Sequence, residues 1–305
     1  MAGLVNGLWL EQYVEPQLLE EFRNFKDDFM GTLMAPSAKA IDKDGIKFNK
    51  LTNTIPFHVN KTTDFVPVVV PSEKGLILWD KLDTGLTEVS DAEMRAMAFD
   101  KESELRRLHT ESMKIGLRDY AMQKLAPTAA GTGIPVLRTT GADDGTGRKK
   151  LTYADLIKFL AQVEGLNLID QTKLYTILCA EHRQDLIDDR SNTQNYRDIQ
   201  INKETGAIER LFKMRFFENN KNVKYTAAGV LKADGAVAVG TDRNASIFYY
   251  APNTVHHIES VKTLLKPMSE DTRSADPKTE FRLHTYGLTD KKQDYGFGAL
   301  ISGIV

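Results

Sequence analysis

Chemistry in this chain would have to come from six histidines, one cysteine, a few carboxylate pairs and one glycine-rich basic segment. The segment Gly141-Ala-Asp-Asp-Gly145-Thr-Gly147-Arg148-Lys149-Lys150 has the composition of a phosphate cradle. It fails as a P-loop because Thr146 stands where the second glycine is needed before the lysine, and Asp143 and Asp144 would repel a phosphate. It reads as a flexible linker. Gly296-Phe-Gly298 through Gly303 lacks the third glycine of a dinucleotide fingerprint and does not open a helix. Among His58, His109, His182, His256, His257 and His284, only His256 and His257 adjoin, and neighbours on a helix diverge by about 100°. Asp42-Lys43-Asp44-Gly45 begins like a calcium loop but lacks the closing Glu, so a solvated turn is expected. Cys179 sits in Thr176-Ile-Leu-Cys-Ala, a setting for a buried, inert thiol, although His182 makes a Cys/His pair conceivable. There is no GxSxG elbow, and Asp188-Asp189 reads as a helix end. The residue pattern therefore points away from an enzyme, and no metal or cofactor is expected.

Composition narrows the classes further. Lys plus Arg is 40 against 42 for Asp plus Glu, a net charge of −2, without the basic excess of a protein that binds nucleic acid by neutralising phosphates. An apolar fraction of 41% with 27% charged residues suffices for a buried core and excludes disorder for the chain as a whole. No apolar run approaches the roughly 20 residues of a membrane span. The opening residues lack the basic region of a signal peptide. One cysteine rules out an internal disulfide and a Cys-cluster zinc site.

The elements fall in five stretches. Residues 1–45 form an acidic arm with a short amphipathic helix, Leu18, Leu19, Phe22, Phe25 and Phe29 recurring at helical steps. Packing of that helix on its own core is the alternative. Residues 46–90 read as a protruding β-hairpin. Its strands are Asp64–Val70 and Leu76–Leu82, its turn is Pro71–Gly75, and Pro67 suggests an edge position. A two-stranded arm is marginal in water, so its apolar residues need a surface to lie on. Residues 91–148 hold a long helix, capped by a Ser90/Glu93 box and stopped by Pro127, with Leu108, Ile115 and Met122 as its apolar stripe, widened by Leu105, Ala121 and Leu125. From Ala98 to Leu125 it would be about 42 Å long, a strut. Residues 127–150 read as a Gly/Thr/Ala linker. Residues 149–278 form a compact α+β region. A helix there is capped by Thr152 with Asp155, and is followed by a strand at Leu174–Cys179, a helix at Ala180–Asp188, strands at Ile208–Phe217 and Ser246–Ala251, and a helix at Pro252–Val261. Residues 279–305 supply closing strands. The fold class is α+β.

This order of arm, hairpin, long helix, glycine-rich crossing, compact α+β region and terminal strands resembles the HK97-fold major capsid proteins of tailed double-stranded DNA bacteriophages. The residues carrying the likeness are Val66–Leu82 for the E-loop, Ala98–Leu125 for the spine helix, Gly206 through Phe217 for an A-domain strand, and Arg282–Gly287 with Tyr295–Ile301 for the closing strands. The resemblance implies a structural protein that self-assembles into hexamers and pentamers, forming an icosahedral shell around double-stranded DNA that it does not read. It implies scaffolding, portal and accessory capsid proteins as partners, and the virion as location, after assembly in the host cytoplasm. The chain lacks the long charged extension of members with a fused scaffold, which implies a separate scaffolding protein or its prior removal. Phe22, Phe25, Phe65, Val68, Val70, Leu78 and Trp79 are the expected inter-subunit contacts. Two rivals stand beside this reading: an encapsulin-like nanocompartment of the same fold, told apart by protein cargo in place of DNA, and a cytosolic enzyme using Cys179, His182 or the Asp pairs.

Overall fold

The computed structural model describes residues 14–23, 28–51, 57–67, 72–90, 101–189, 199–202, 204–219 and 221–305. In chain order the first part carries α1 (Glu15–Arg23), β1 (Ile41–Asp42), β2 (Gly45–Leu51), β3 (Ser72–Leu78), β4 (Asp80–Asp83), β5 (Thr87–Ser90) and α2 (Lys101–Leu125). Next come β6 (Val136–Arg138), β7 (Arg148–Lys149), α3 (Tyr153–Glu164), β8 (Leu174–Cys179), α4 (Ala180–Asp189), β9 (Ile199–Ile201), β10 (Ile208–Leu211), β11 (Met214–Asn219) and β12 (Val223–Tyr225). The chain closes with β13 (Arg243–Tyr250), β14 (Thr254–Lys266), β15 (Lys278–Lys291), β16 (Phe297–Ile301) and β17 (Gly303–Ile304).

The largest sheet has the order β6-β16-β13-β8-β11-β10-β9, with β12 also on β13; β8–β11 and β16–β6 are parallel and the other pairs antiparallel. Both faces are buried, which is why Leu174–Cys179 is largely apolar with no alternation of exposed residues. On one face Leu174, Leu178, Phe248, Tyr250 and Leu300 pack on Leu156, Phe159, Leu160 and Val163 of α3. On the other, Tyr175, Ile177, Ile247, Tyr249 and Phe297 meet Ala121, Met122 and Leu125 of α2. α3 opens with the expected capping box: Thr152 accepts from the Asp155 amide while Asp155 accepts from that of Thr152.

A second sheet is built of β14, β15 and β4, with β5 also on β15. α2 lies across it through Met113 and Leu117, and α1 lies beside it through Phe22, Leu18 and Leu19, over Ile258, Val261, Phe281 and Leu283. α2 is about 38 Å long over its described residues. Its middle covers the second sheet and its C-terminal end enters the core of the first, so it is the strut that joins them. Lys291 Nζ caps its end, donating to the Ala126 carbonyl at 2.6 Å. A third sheet, β1-β2-β3, forms the hairpin, and β17 pairs with β7.

Several expectations are corrected here. Leu108 and Ile115 are exposed, and the buried stripe is His109, Met113, Leu117 and Ala121. A polar residue holds a core position because Thr84 Oγ1 and Thr87 Oγ1 meet its two ring nitrogens at 2.7 and 2.8 Å and its ring stands edge-on to Phe281. The segment read as a helix over Pro252–Val261 is a short 3-10 turn followed by β14, because its β-branched residues gain a long ladder against β15. β14 thereby leaves the compact region of 149–278 for the second sheet. Ile208–Phe217 is two strands, folded at Phe212 with φ 48°. The stretch 127–150 is no loose linker: β6 and β7 are paired, and Arg148 reaches Asp185 by two buried hydrogen bonds of 2.6 and 2.8 Å. Ser90, expected to cap the long helix, is the last residue of β5 and pairs with Lys278, while Glu93 and the start of the helix at Ala98 lie outside the described residues.

Candidate assembly surfaces

The hairpin is displaced in sequence from its expected position. Ser72–Leu78 pairs with Gly45–Leu51, Asp64–Pro67 is not strand, and the described residues of the tip are 57–67. Gly75, taken for a turn residue, is mid-strand opposite Phe48; a Cβ there would lie 2.4 Å from Phe48 Cζ, so its bare backbone lets the ring lie across it. The root is held by Trp79. Its Nε1 donates to the Asp42 carbonyl at 3.1 Å, its amide donates to Asp44, and its ring meets His257 at 5.9 Å. Ile46 and Ile77 join it against Val255 and Leu288 of the second sheet.

Beyond the root the apolar residues lose cover. Leu78 is 61% exposed, and Leu76 next along the same face is also exposed. At the tip Phe57, Val59, Phe65 and Val66 are each more than 70% exposed. Lys61 Nζ sits 4.4 Å from the Phe65 ring centre and His58 stands edge-on to it, so the aromatic has polar neighbours instead of a core. Two further apolar displays accompany the hairpin. One is Leu108 and Ile115 on the outer face of α2; the other is Val237 and Val239 in Gly235-Ala-Val-Ala-Val-Gly240. The second loop is braced, not loose. Leu231 donates to the Thr128 carbonyl at 2.7 Å, Gln123 Nε2 donates to that of Lys232 at 2.7 Å, and Asp242 pairs with Lys232 and accepts from the Val239 amide. Those contacts hold the Asp242 carboxyl below its ordinary range.

Of the residues expected at contacts between copies, Phe65 and Leu78 are exposed, and Trp79 is half-buried in its own chain. Phe22 is a correction: it is fully buried among Met113, Leu117, Ile258 and Phe281, because α1 has the second sheet to cover. Phe25, Val68 and Val70 lie outside the described residues. The outer-face residues of α2 and the valine loop are not among the residues expected at contacts between copies. Leu108 and Ile115 fit a heptad step, which points them inward; the loop's signal is apolar residues alternating between Gly235 and Gly240.

The residues considered for chemistry are placed as follows. Cys179 is buried, and burial pushes its thiol up to about 11. His182 is fully buried, with Nδ1 2.7 Å from Ser246 Oγ and Nε2 2.9 Å from Ser302 Oγ; burial brings its pKa down to about 4. Both ring nitrogens are occupied by serines, so a neutral imidazole completes a core network and does not activate the thiol. In the Gly141–Lys150 segment, Asp143 accepts from the Gly145 and Gly147 amides and Asp144 from that of Thr146, so the loop amides a phosphate would need are taken by carboxylates. No group of three or more His, Cys, Asp or Glu among the described residues is placed to hold a metal, and no described helix is long and apolar enough to cross a membrane.

No family model and no curated protein sequence matches the chain. Solved structures do. The capsid of cyanophage P-SCSP1u superposes with a TM-score of 0.61 over 90% of this chain and 87% of its own, at 12% identity. The head of Helicobacter pylori bacteriophage KHP40 gives 0.58 over 90% and 86%, at 10% identity. The mature capsid of bacteriophage PhiM1 gives 0.56 over 85% and 82%, at 12% identity. The chain has the HK97-like capsid fold. At this identity the likeness lies in architecture, and it spans most of this chain. The α+β class expected of the capsid fold holds across nearly the whole chain.

Proposed function

We infer that this protein is a major capsid protein, a structural and non-catalytic subunit whose copies assemble into hexamers and pentamers of an icosahedral shell around double-stranded DNA. The observation that carries the reading is a capsid fold whose rooted hairpin displays Leu76, Leu78, Phe57, Phe65 and Val66 to solvent. A single chain gains nothing from that display, whereas a neighbouring copy that covers it gains apolar burial. The near-balanced charge lets many copies approach without strong mutual repulsion. In this reading residues 1–45 are the N-terminal arm, 46–90 the E-loop region, 91–148 the spine helix and P-domain, 149–278 the A-domain, with strands in 279–305 returning to both sheets. β14 would then belong with the P-domain sheet. Scaffolding, portal and accessory proteins are the implied partners, the virion is the location and assembly takes place in the host cytoplasm. Electron microscopy of the purified chain at high concentration tests this: closed shells or capsomers are expected, and a stable monomer with the hairpin protected from solvent overturns it.

A further inference from the structure

β14 is the outer strand of the second sheet, thirteen residues long, paired with β15 on one side only among the described residues. A free edge of that length is a template for another strand. Its outward backbone groups are met by the N-terminal segment instead. The His256 amide donates to the Met34 carbonyl at 2.9 Å. Arg23 Nε and Nη2 donate to the carbonyls of Ile258 and Glu259 at 2.7 and 3.0 Å. Glu15 Oε1 accepts from the Thr263 amide at 2.6 Å.

The arrangement is specific in sign and position. An anionic side chain at one end of α1 meets a backbone donor, and a cationic fork at the other end meets two acceptors. The register shift between Ile258 and Ser260 explains the fork: a bulge turns two successive carbonyls the same way, and one guanidinium spans them. Phe22, Leu18 and Leu19 anchor α1 to the sheet, and Glu21 pairs with Lys114 of α2. Beyond the reach of α1, β14 ends at Lys266 and is followed by Pro267, residues that discourage strand addition.

We propose that α1 is an edge guard: its Glu15 and Arg23 occupy the free side of β14 and prevent it from pairing with β14 of a second copy. Two identical antiparallel edges are self-complementary about a two-fold axis, so a second copy is the strand always at hand. The guard confines association between copies to other surfaces. This inference does not depend on whether those surfaces build a shell.

The test is the full chain carrying Glu15→Ala and Arg23→Met, which remove the acceptor at Thr263 and the guanidinium donors. Hydrogen exchange at the Thr263 amide is expected to quicken about tenfold, while the His256 amide, bonded to Met34, keeps its rate. The variant is expected to form concentration-dependent dimers with an intermolecular β-sheet infrared band at concentrations where the wild type shows none. Adding Thr263→Pro should abolish them, because that amide points away from β15 and its loss leaves the internal ladder intact. Unchanged exchange at Thr263, wild-type association despite faster exchange, or dimerisation that Thr263→Pro leaves untouched each overturns the proposal. If the double variant folds poorly, Glu15→Ala alone carries the same three readouts at smaller amplitude.

Discussion

Two phenylalanines of the N-terminal third separate folding from association. Phe22 is fully buried, and Phe22→Ala should lower subunit stability by about 3–5 kcal/mol, read from chemical denaturation. Phe65 lies open at the hairpin tip, and Phe65→Asp should leave the denaturation midpoint within error while reducing particle yield. Normal particles from the Phe65 variant would remove the tip from the contact. His182 sets a pH dependence of known sign. Its native pKa, about 4, is below the ordinary 6.5, so as pH falls through 6.5 the unfolded chain takes up a proton that the native core refuses. Stability is therefore lost between about pH 6.5 and 4, by up to about 3 kcal/mol from this residue. His256, also brought to about 4 by burial, adds a loss of the same sign. Denaturation of His182→Gln should be less stable at pH 7 and flatter towards acid; an unchanged slope would show that the His182–serine network does not set it.

Among the elements, α2 carries the most consequences, because one helix enters two cores. Gly116 lies on its outer face with open space around it. Gly116→Pro adds no clash with another element, and its cost of about 3 kcal/mol or more comes from the broken helix alone. Loss of soluble, cooperatively folding subunit is the expected readout. Ile115→Asp, one residue away and exposed, should leave folding intact and test whether the outer face of α2 is covered on assembly. The hairpin depends on Gly45, where a Cβ would sit 2.0 Å from the Ile77 carbonyl oxygen. Any side chain there pushes β2 and β3 apart.

At the scale of the whole molecule, the two sheets, the strut and the rooted hairpin form a body whose stability is internal and whose apolar surplus faces outwards. Apolar association strengthens with excluded salts and is little screened by ionic strength. Light scattering should therefore show assembly promoted by sulfate and little changed by sodium chloride up to about 0.5 M. Assembly that collapses in sodium chloride would assign the contacts to charge.

The α+β class, the capped helix at Thr152, the buried strand at Leu174–Cys179 and the C-terminal end of α2 were legible from the sequence because each rests on local physics: a capping box, a largely apolar run, a proline stop. What lay between sequence-distant partners was not legible. Pairing with β15 over a long ladder made β14 a strand, and contact with Phe48 made Gly75 a strand residue. Two threonines and Phe281 drew His109 inward and left Leu108 and Ile115 to solvent. Glu15 and Arg23 are ordinary charges in the sequence; only the tertiary structure sets them against backbone more than two hundred residues away. Periodicity states that a residue has an apolar or polar side, but which surface meets it depends on the packing of elements the local sequence does not contain.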